Sequence, residues 1–271
     1  MIGKFRAGVV LAIIIAVTLV GIPVQMLAMR TGRPDPRTIP RLWHRLAVRL
    51  LGIRVHVIGA PAIGRPLLLA ANHVSWTDIP VLSSLLPVSF VAKSDMASWP
   101  VFGLLARLQR SVFVERNRAR TSPIQAGELG RRLADGEAMV LFAEGTTSDG
   151  NTVAPFKSTL FGAARAALEA ADGVHDTVLV QPVTIAYTRL HGIPMGRQHR
   201  RHVSWVGDSD LVPHLAALIR EGGIDVEVHF GEALAYTKAS DRKQIARLME
   251  AEVRATMAQA LRNPRSSRKA G

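Results

Sequence analysis

The sequence predicts an α/β fold: a mostly central sheet flanked by helices, preceded by an N-terminal membrane-anchoring helix. Three observations point there. From about residue 65 onward, apolar runs of strand length alternate with segments of helical periodicity. Of the 271 residues, 48% are hydrophobic, enough for one large core. One long uncharged stretch stands at the N-terminus. The chain has no cysteine, which excludes a disulfide framework, a thiolate metal site and a cysteine nucleophile.

Ala7 to Met29 form 23 residues without a charge, about 34 Å as a helix against a hydrocarbon core of about 30 Å. A cleaved signal peptide is the competing reading, and the length of the run and the lack of a small-x-small cleavage site count against it. Pro23 can kink the helix or make it dip and return. Lys4 and Arg6 precede the run, whereas Arg30, Arg33, Arg37, Arg41, Arg45 and Arg49 follow it, which places the rest of the chain on the cytoplasmic side of an inner (plasma) membrane. Arg30 to Pro40, with three prolines, reads as a stiff connector. Arg41, Arg45 and Arg49 recur at helical spacing with Leu42, Trp43, Leu46 and Leu50 between them, predicting a basic amphipathic helix lying in the headgroup region. A surface helix packed on the domain is its alternative. The division expected is anchor and connector 1–33, interfacial helix 34–55, catalytic domain 56–262 and a frayed basic tail 263–271.

Within the domain the expected order is strand Leu67–Ala71, helix Ile79–Leu86, strand Phe90–Ala92, helix Val101–Gln109 and strand Val112–Val114. A helix from about Pro123 to Ala134, strand Ala138–Ala143, helix Thr159–Ala171 and strand Thr177–Tyr187 come next. Strand His202–Val206, helix Leu211–Arg220, strand Ile224–Phe230 and a charged helix from about Ser240 to Leu261 complete it.

Loops that leave central strands are where such folds place chemistry. After the first strand comes Asn72-His73-Val-Ser-Trp-Thr-Asp78. Five residues of loop entering a helix can bring Asp78 back to His73, fixing one ring nitrogen as N–H and leaving the other a base toward a substrate hydroxyl. On spacing alone, helix capping by Ser75 and Asp78 explains the same residues. After the strand at 138–143 comes Glu144-Gly145-Thr146-Thr147-Ser-Asp-Gly150. Its glycines permit tight turns, its N–H groups and hydroxyls form a concave donor site for a developing oxyanion, and Glu144 is placed to accept from a substrate hydroxyl. A plain polar turn is the alternative. His191, His199, His202, His214 and His229 do not cluster at metal-ligand spacing and read as surface or sheet residues.

The net charge of +13 points to polyanionic partners, either nucleic acid or an anionic membrane surface. With no helix-turn-helix pattern and only 5% aromatic residues for stacking, nucleic acid is excluded as a partner.

Taken together these blocks resemble the phospholipid and glycerol acyltransferases typified by 1-acylglycerol-3-phosphate acyltransferase. Asn72-His73 to Asp78 matches that family's H-x-x-x-x-D block, and Phe142-Ala143-Glu144-Gly145-Thr146 resembles its F-P-E-G-T block. Phe90 to Lys93, with Val112 to Arg116, looks like its second block, and Val180-Gln-Pro-Val183 like its fourth. The resemblance implies a glycerolipid acyltransferase-like fold and fatty-acyl transfer from acyl-CoA or acyl carrier protein to a lysolipid hydroxyl. It implies His73 and Asp78 as the catalytic pair, Lys93, Arg116, Glu144, Gly145, Thr146 and Thr147 as substrate contacts, membrane lipids as partners, and no metal or cofactor beyond the acyl donor. Where the family often has Arg after E-G-T this chain has Thr147, which removes a bidentate phosphate partner and leaves Arg116 and Lys93 to hold any headgroup phosphate. The acceptor expected first is 1-acylglycerol-3-phosphate, giving phosphatidic acid; the alternative is lyso-ornithine lipid or another lysolipid without a phosphomonoester. A non-enzymatic membrane-surface binding protein would explain the anchor and basic helix but not four blocks in order.

Overall fold

The computed structural model describes residues 2–114, 123–170, 175–206 and 210–265. Two N-terminal helices, α1 (Ile2–Thr31) and α2 (Thr38–Leu51), lead into strand β1 (Ile53–Ile58). The sheet is then built by β2 (Leu67–Ala71), α3 (Asp78–Leu85), β3 (Ser89–Lys93), α4 (Phe102–Leu108), β4 (Val112–Val114), α5 (Pro123–Ala134) and β5 (Ala138–Phe142). It is completed by α6 (Gly162–Ala170), β6 (Val178–Leu190), β7 (Ile193–Pro194), α7 (Leu211–Glu221), β8 (Ile224–Phe230), β9 (Leu234–Tyr236) and α8 (Arg242–Arg262).

The strand order is β1-β8-β6-β2-β5-β3-β4, with β7 and β9 also pairing β6. The run β6-β2-β5-β3-β4 is parallel throughout. β8 pairs antiparallel with β6 and parallel with β1. β2 and β5 are buried at every residue, which is why Leu67-Leu-Leu-Ala-Ala and Ala138-Met-Val-Leu-Phe are apolar without alternation: helices cover both faces. Their register pairs Ala71 with Phe142, so the loops that follow both strands emerge side by side at one edge of the sheet.

Four expectations change. The boundary at 55/56 falls inside β1, whose Arg54 and His56 hydrogen-bond the buried Asp225 of β8 at 2.8 Å each, so the sheet begins by Ile53. No strand forms at His202–Val206: the amides of Val203 and Ser204 are spent locally on the carbonyl of Arg200, closing a 3₁₀ turn over His199–His202. The tail does not fray at its start, because Arg189 donates to the carbonyls of Pro264 and Arg265 and the Arg265 amide donates to Glu227; residues 266–271 lie outside the described residues. Finally, α2 packs on the domain, as the alternative of a surface helix has it. His44, Ala47, Val48 and Leu51 are buried, and Arg41 and Arg45 donate to the carbonyls of Leu85 (2.7 Å) and Ser84 (3.0 Å), completing the C-terminal end of α3.

α1 runs unbroken through Pro23 and is apolar enough to cross a membrane from Phe5 to Thr31. It lies along the domain rather than standing off it. Arg6 donates to the carbonyl of Ile219, Trp43 of α2 donates to Thr18 at 2.9 Å, and Gln25 donates to the carbonyls of Pro36 and Leu108 at 2.8 Å. Arg6 and Gln25 are about 28 Å apart along the helix. The outer face, including Phe5, Leu19, Val20 and Leu27, is exposed and apolar.

Candidate active site

The edge where β2 and β5 end assembles the site. The side chain of Asn72 prolongs the pairing of β2 with β6, donating to the carbonyl of Ile185 at 2.9 Å and accepting its amide at 2.8 Å. The chain then curls, and Asp78 opens α3 as a fully buried carboxylate. Its Oδ2 accepts from His73 Nδ1 at 2.8 Å and from the amides of Val74 (2.7 Å) and Ser75 (3.0 Å); its Oδ1 accepts from the phenol of Tyr187 at 2.7 Å. Four donors and a helix N-terminus together offset the cost of burying the charge. The network assigns the proton of His73 to Nδ1, so Nε2 presents its lone pair. The imidazole stacks on Phe142, centroids 3.8 Å apart and planes 11° apart.

Tyr187 was not legible in the loop motifs. It lies on β6 four residues past Val183, the partner of Ala71, and its OH also meets Thr77 Oγ1 at 2.6 Å. Burial, with the charge of Asp78 beside it, raises the phenol well above its usual range, so it stays protonated and donates. His214, expected as a surface or sheet residue, accepts the indole N–H of Trp76 at 3.0 Å and ties α7 to the loop.

The second loop differs from expectation in two respects. Glu144, expected toward a substrate hydroxyl, is buried with both oxygens engaged by backbone: Oε1 accepts the amide of His73 at 2.6 Å and Oε2 that of Ala154 at 2.7 Å. It braces the His73 loop against the segment after Gly150. Desolvation outweighs those two donors and pushes its carboxyl up to about 7. The amide of Gly145 is likewise spent, on the carbonyl of Phe142 at 3.0 Å, so the donors left for an oxyanion are the amides and hydroxyls of Thr146 and Thr147. Gly145 takes φ +72°, and a Cβ there would stand 2.9 Å from Lys157 Nζ. An exposed ammonium therefore lies over the turn, placed by a backbone bond from the Lys157 amide to the carbonyl of Ala143 at 2.8 Å. Sequence reasoning did not single out Lys157, which lies further along the same loop as the E-G-T turn, outside any motif. Lys93 closes β3 at the same edge as His73, but its side chain and the whole of Arg116 lie outside the described residues.

The arrangement can take a proton at His73 Nε2 and stabilise a negative charge before the Thr146–Thr147 turn. His73→Ala should lower acyl transfer by at least about two orders of magnitude with the fold intact. Tyr187→Phe leaves a buried carboxylate oxygen short of a donor, worth about 1–3 kcal/mol. Its melting temperature should fall while a fraction of activity survives, and circular dichroism and rate measurements on both variants would check this. A fold-intact His73→Ala variant with full activity would refute the assignment.

Glu144 gives a second test. Its carboxyl is raised in the folded state, so its contribution to stability is full below about pH 4.5 and is lost as pH rises through about 7. The difference in unfolding free energy between the unaltered protein and Glu144→Gln should therefore change across that window by up to about 3 kcal/mol. Denaturant titrations at pH 4.5 and 7.5 would measure it.

Residues 52–186 match the family model described as Acyltransferase. A lyso-ornithine lipid O-acyltransferase of Brucella abortus is 53% identical over 96% of this chain and 97% of its own length. A protein of the same name from Rhizobium meliloti is 52% identical over 97% of this chain and 89% of its own. The crystal structure of the 1-acyl-sn-glycerophosphate acyltransferase of Thermotoga maritima is similar in fold, with TM-score 0.63 and 21% identity, covering 98% of this chain and 100% of that one.

Proposed function

The chain belongs to the acyltransferase family, and from that premise we propose that it transfers a fatty acyl group from the thioester of acyl-CoA or acyl carrier protein to the hydroxyl of lyso-ornithine lipid, at the cytoplasmic face of the inner membrane. The observation that carries the choice of acceptor is the identity of 53% across nearly the whole chain with a lyso-ornithine lipid O-acyltransferase. Of the two acceptors expected from the sequence, this alternative is better supported than 1-acylglycerol-3-phosphate, since the 1-acyl-sn-glycerol-3-phosphate acyltransferase of Neisseria gonorrhoeae, 41% identical, matches over only 40% of this chain.

The chemistry of the site favours the same ranking. Ornithine offers a carboxylate and no phosphate. A phosphomonoester calls for the two-pronged grip of a guanidinium, and Thr147 does not supply one. A single carboxylate is matched by a single ammonium, and Lys157 holds one over the Gly145 turn.

In the reaction, His73 Nε2 takes the proton of the acceptor hydroxyl as its oxygen attacks the thioester carbonyl. Asp78 holds the ring and offsets the charge of the imidazolium. The tetrahedral oxyanion is met by the Thr146 and Thr147 donors. Collapse breaks the carbon–sulfur bond, and the departing thiolate takes the proton back from His73. No acyl-enzyme intermediate is required.

The test is a lysolipid panel with acyl-CoA and acyl carrier protein as donors and mass spectrometry of the products. O-acylation of lyso-ornithine lipid is expected, with lysophosphatidic acid turned over more slowly; the reverse order overturns the acceptor. Thr147→Arg should move the preference toward lysophosphatidic acid. Lys157→Gln should lower kcat/KM for the carboxylate-bearing acceptor by about ten- to a hundredfold, as loss of a charged hydrogen bond does. A methyl-ester acceptor should be affected far less.

A further inference from the structure

We propose that the turn from Trp99 to Leu104 is a second lipid-inserting element, seating the active-site edge of the sheet in the membrane surface. The proposal rests on the reading that the outer face of α1 lies in lipid.

The turn presents apolar side chains outward: Val101 is 63% exposed, Phe102 and Leu104 42% each, and Trp99 40%. It is also rigidly built. The amide of Phe102 donates to the carbonyl of Pro100 at 2.6 Å, closing a three-residue turn about Val101, which sits at φ 64°, ψ −56°. A β-branched residue is strained there and stays only where its surroundings hold it. The surroundings do so: Gly103 meets the preceding 3₁₀ turn (Ser94–Ser98) so closely that a Cβ would stand 2.4 Å from the carbonyl oxygen of Ala97. Arg107 of α4 donates to that same carbonyl at 2.9 Å. A fixed, strained, water-facing apolar turn needs a partner to justify it.

Its position says which partner. The turn leaves the end of β3, parallel to β2 and β5, and so lies at the edge that carries His73 and Gly145. α4, which the turn opens, is fastened to α1 at its other end, where Gln25 donates to the carbonyl of Leu108, so one short helix joins the turn to α1. Trp suits the headgroup depth, and Val, Phe and Leu the acyl region beneath it. A lipid surface meets both elements at once, and the acceptor's hydroxyl would then rise from that surface beside the site.

Because the chain has no cysteine, Val101→Cys places one unique label on the full-length protein. With a nitroxide attached, in phosphatidylethanolamine–phosphatidylglycerol vesicles, position 101 should be more accessible to oxygen than to a water-soluble nickel chelate. The fully exposed Ile63, at the opposite edge of the sheet, should show the reverse when labelled as Ile63→Cys. Equal aqueous access at both positions overturns the proposal. So does a label at 101 shielded from both reagents without vesicles, which would mean that protein covers the turn. A double Val101→Ser, Phe102→Ser variant should transfer acyl groups at least about fivefold more slowly to a lysolipid in vesicles. On a short-chain, water-soluble analogue its rate should be unchanged, and an equal loss on both substrates overturns the proposal in favour of a purely structural turn. If the unaltered enzyme acylates neither acceptor, the functional reading fails while the labelling result still decides the membrane contact.

Discussion

The carboxylate of Asp78 is the charge around which the site is organised. Burying an unpartnered carboxylate would cost far more than one loop can supply, so every donor it receives is also a constraint on the chain that brings it. The amides of Val74 and Ser75 must turn inward, which curls the backbone after His73; the phenol of Tyr187 must arrive from β6; and His73 Nδ1 takes the remaining position. The imidazole of His73 is thus oriented as a by-product of satisfying an anion. Glu144 repeats the arrangement from the other loop, taking the His73 amide, so His73 is held through both its ring and its backbone.

Much of this was readable from the chain. β2 and β5 announced themselves because strands buried on both faces are apolar without interruption, and the loops behind them carried His73, Asp78 and the Gly145 turn. What was not readable depends on partners far away in sequence. Tyr187 is 109 residues from Asp78, and only the register of β6 against β2 brings the two together. Glu144 reads as a substrate ligand from its place in the E-G-T block; the amide of Ala154, which occupies its second oxygen, lies on a segment with no motif of its own. The arginines of α2 had the spacing of a membrane-facing stripe, but two of them reach the open carbonyls at the end of α3, a demand visible only once the helices pack.

The basic character of the chain therefore divides into different uses. Arg41, Arg45 and Arg189 are spent on backbone carbonyls, Arg54 on a buried carboxylate, and Arg132 on Glu137 and Ser89 inside the domain. Such cations hold the fold together through those bonds. Lys157 differs because its exposed ammonium stands over the Gly145 turn instead of being spent inside the fold.

The three attachments along α1 have a mechanical consequence. A helix joined to its domain by a flexible linker acts as a tether, and the domain samples a range of heights and tilts above it. α1 is instead fastened to the domain at Arg6, Thr18 and Gln25, near both ends and the middle of its length. Whatever medium holds the outer face of α1 also sets the elevation and the angle of His73, to within the play of a side chain. Grafting an unrelated hydrophobic helix onto the domain would reproduce the apolar surface without reproducing that alignment.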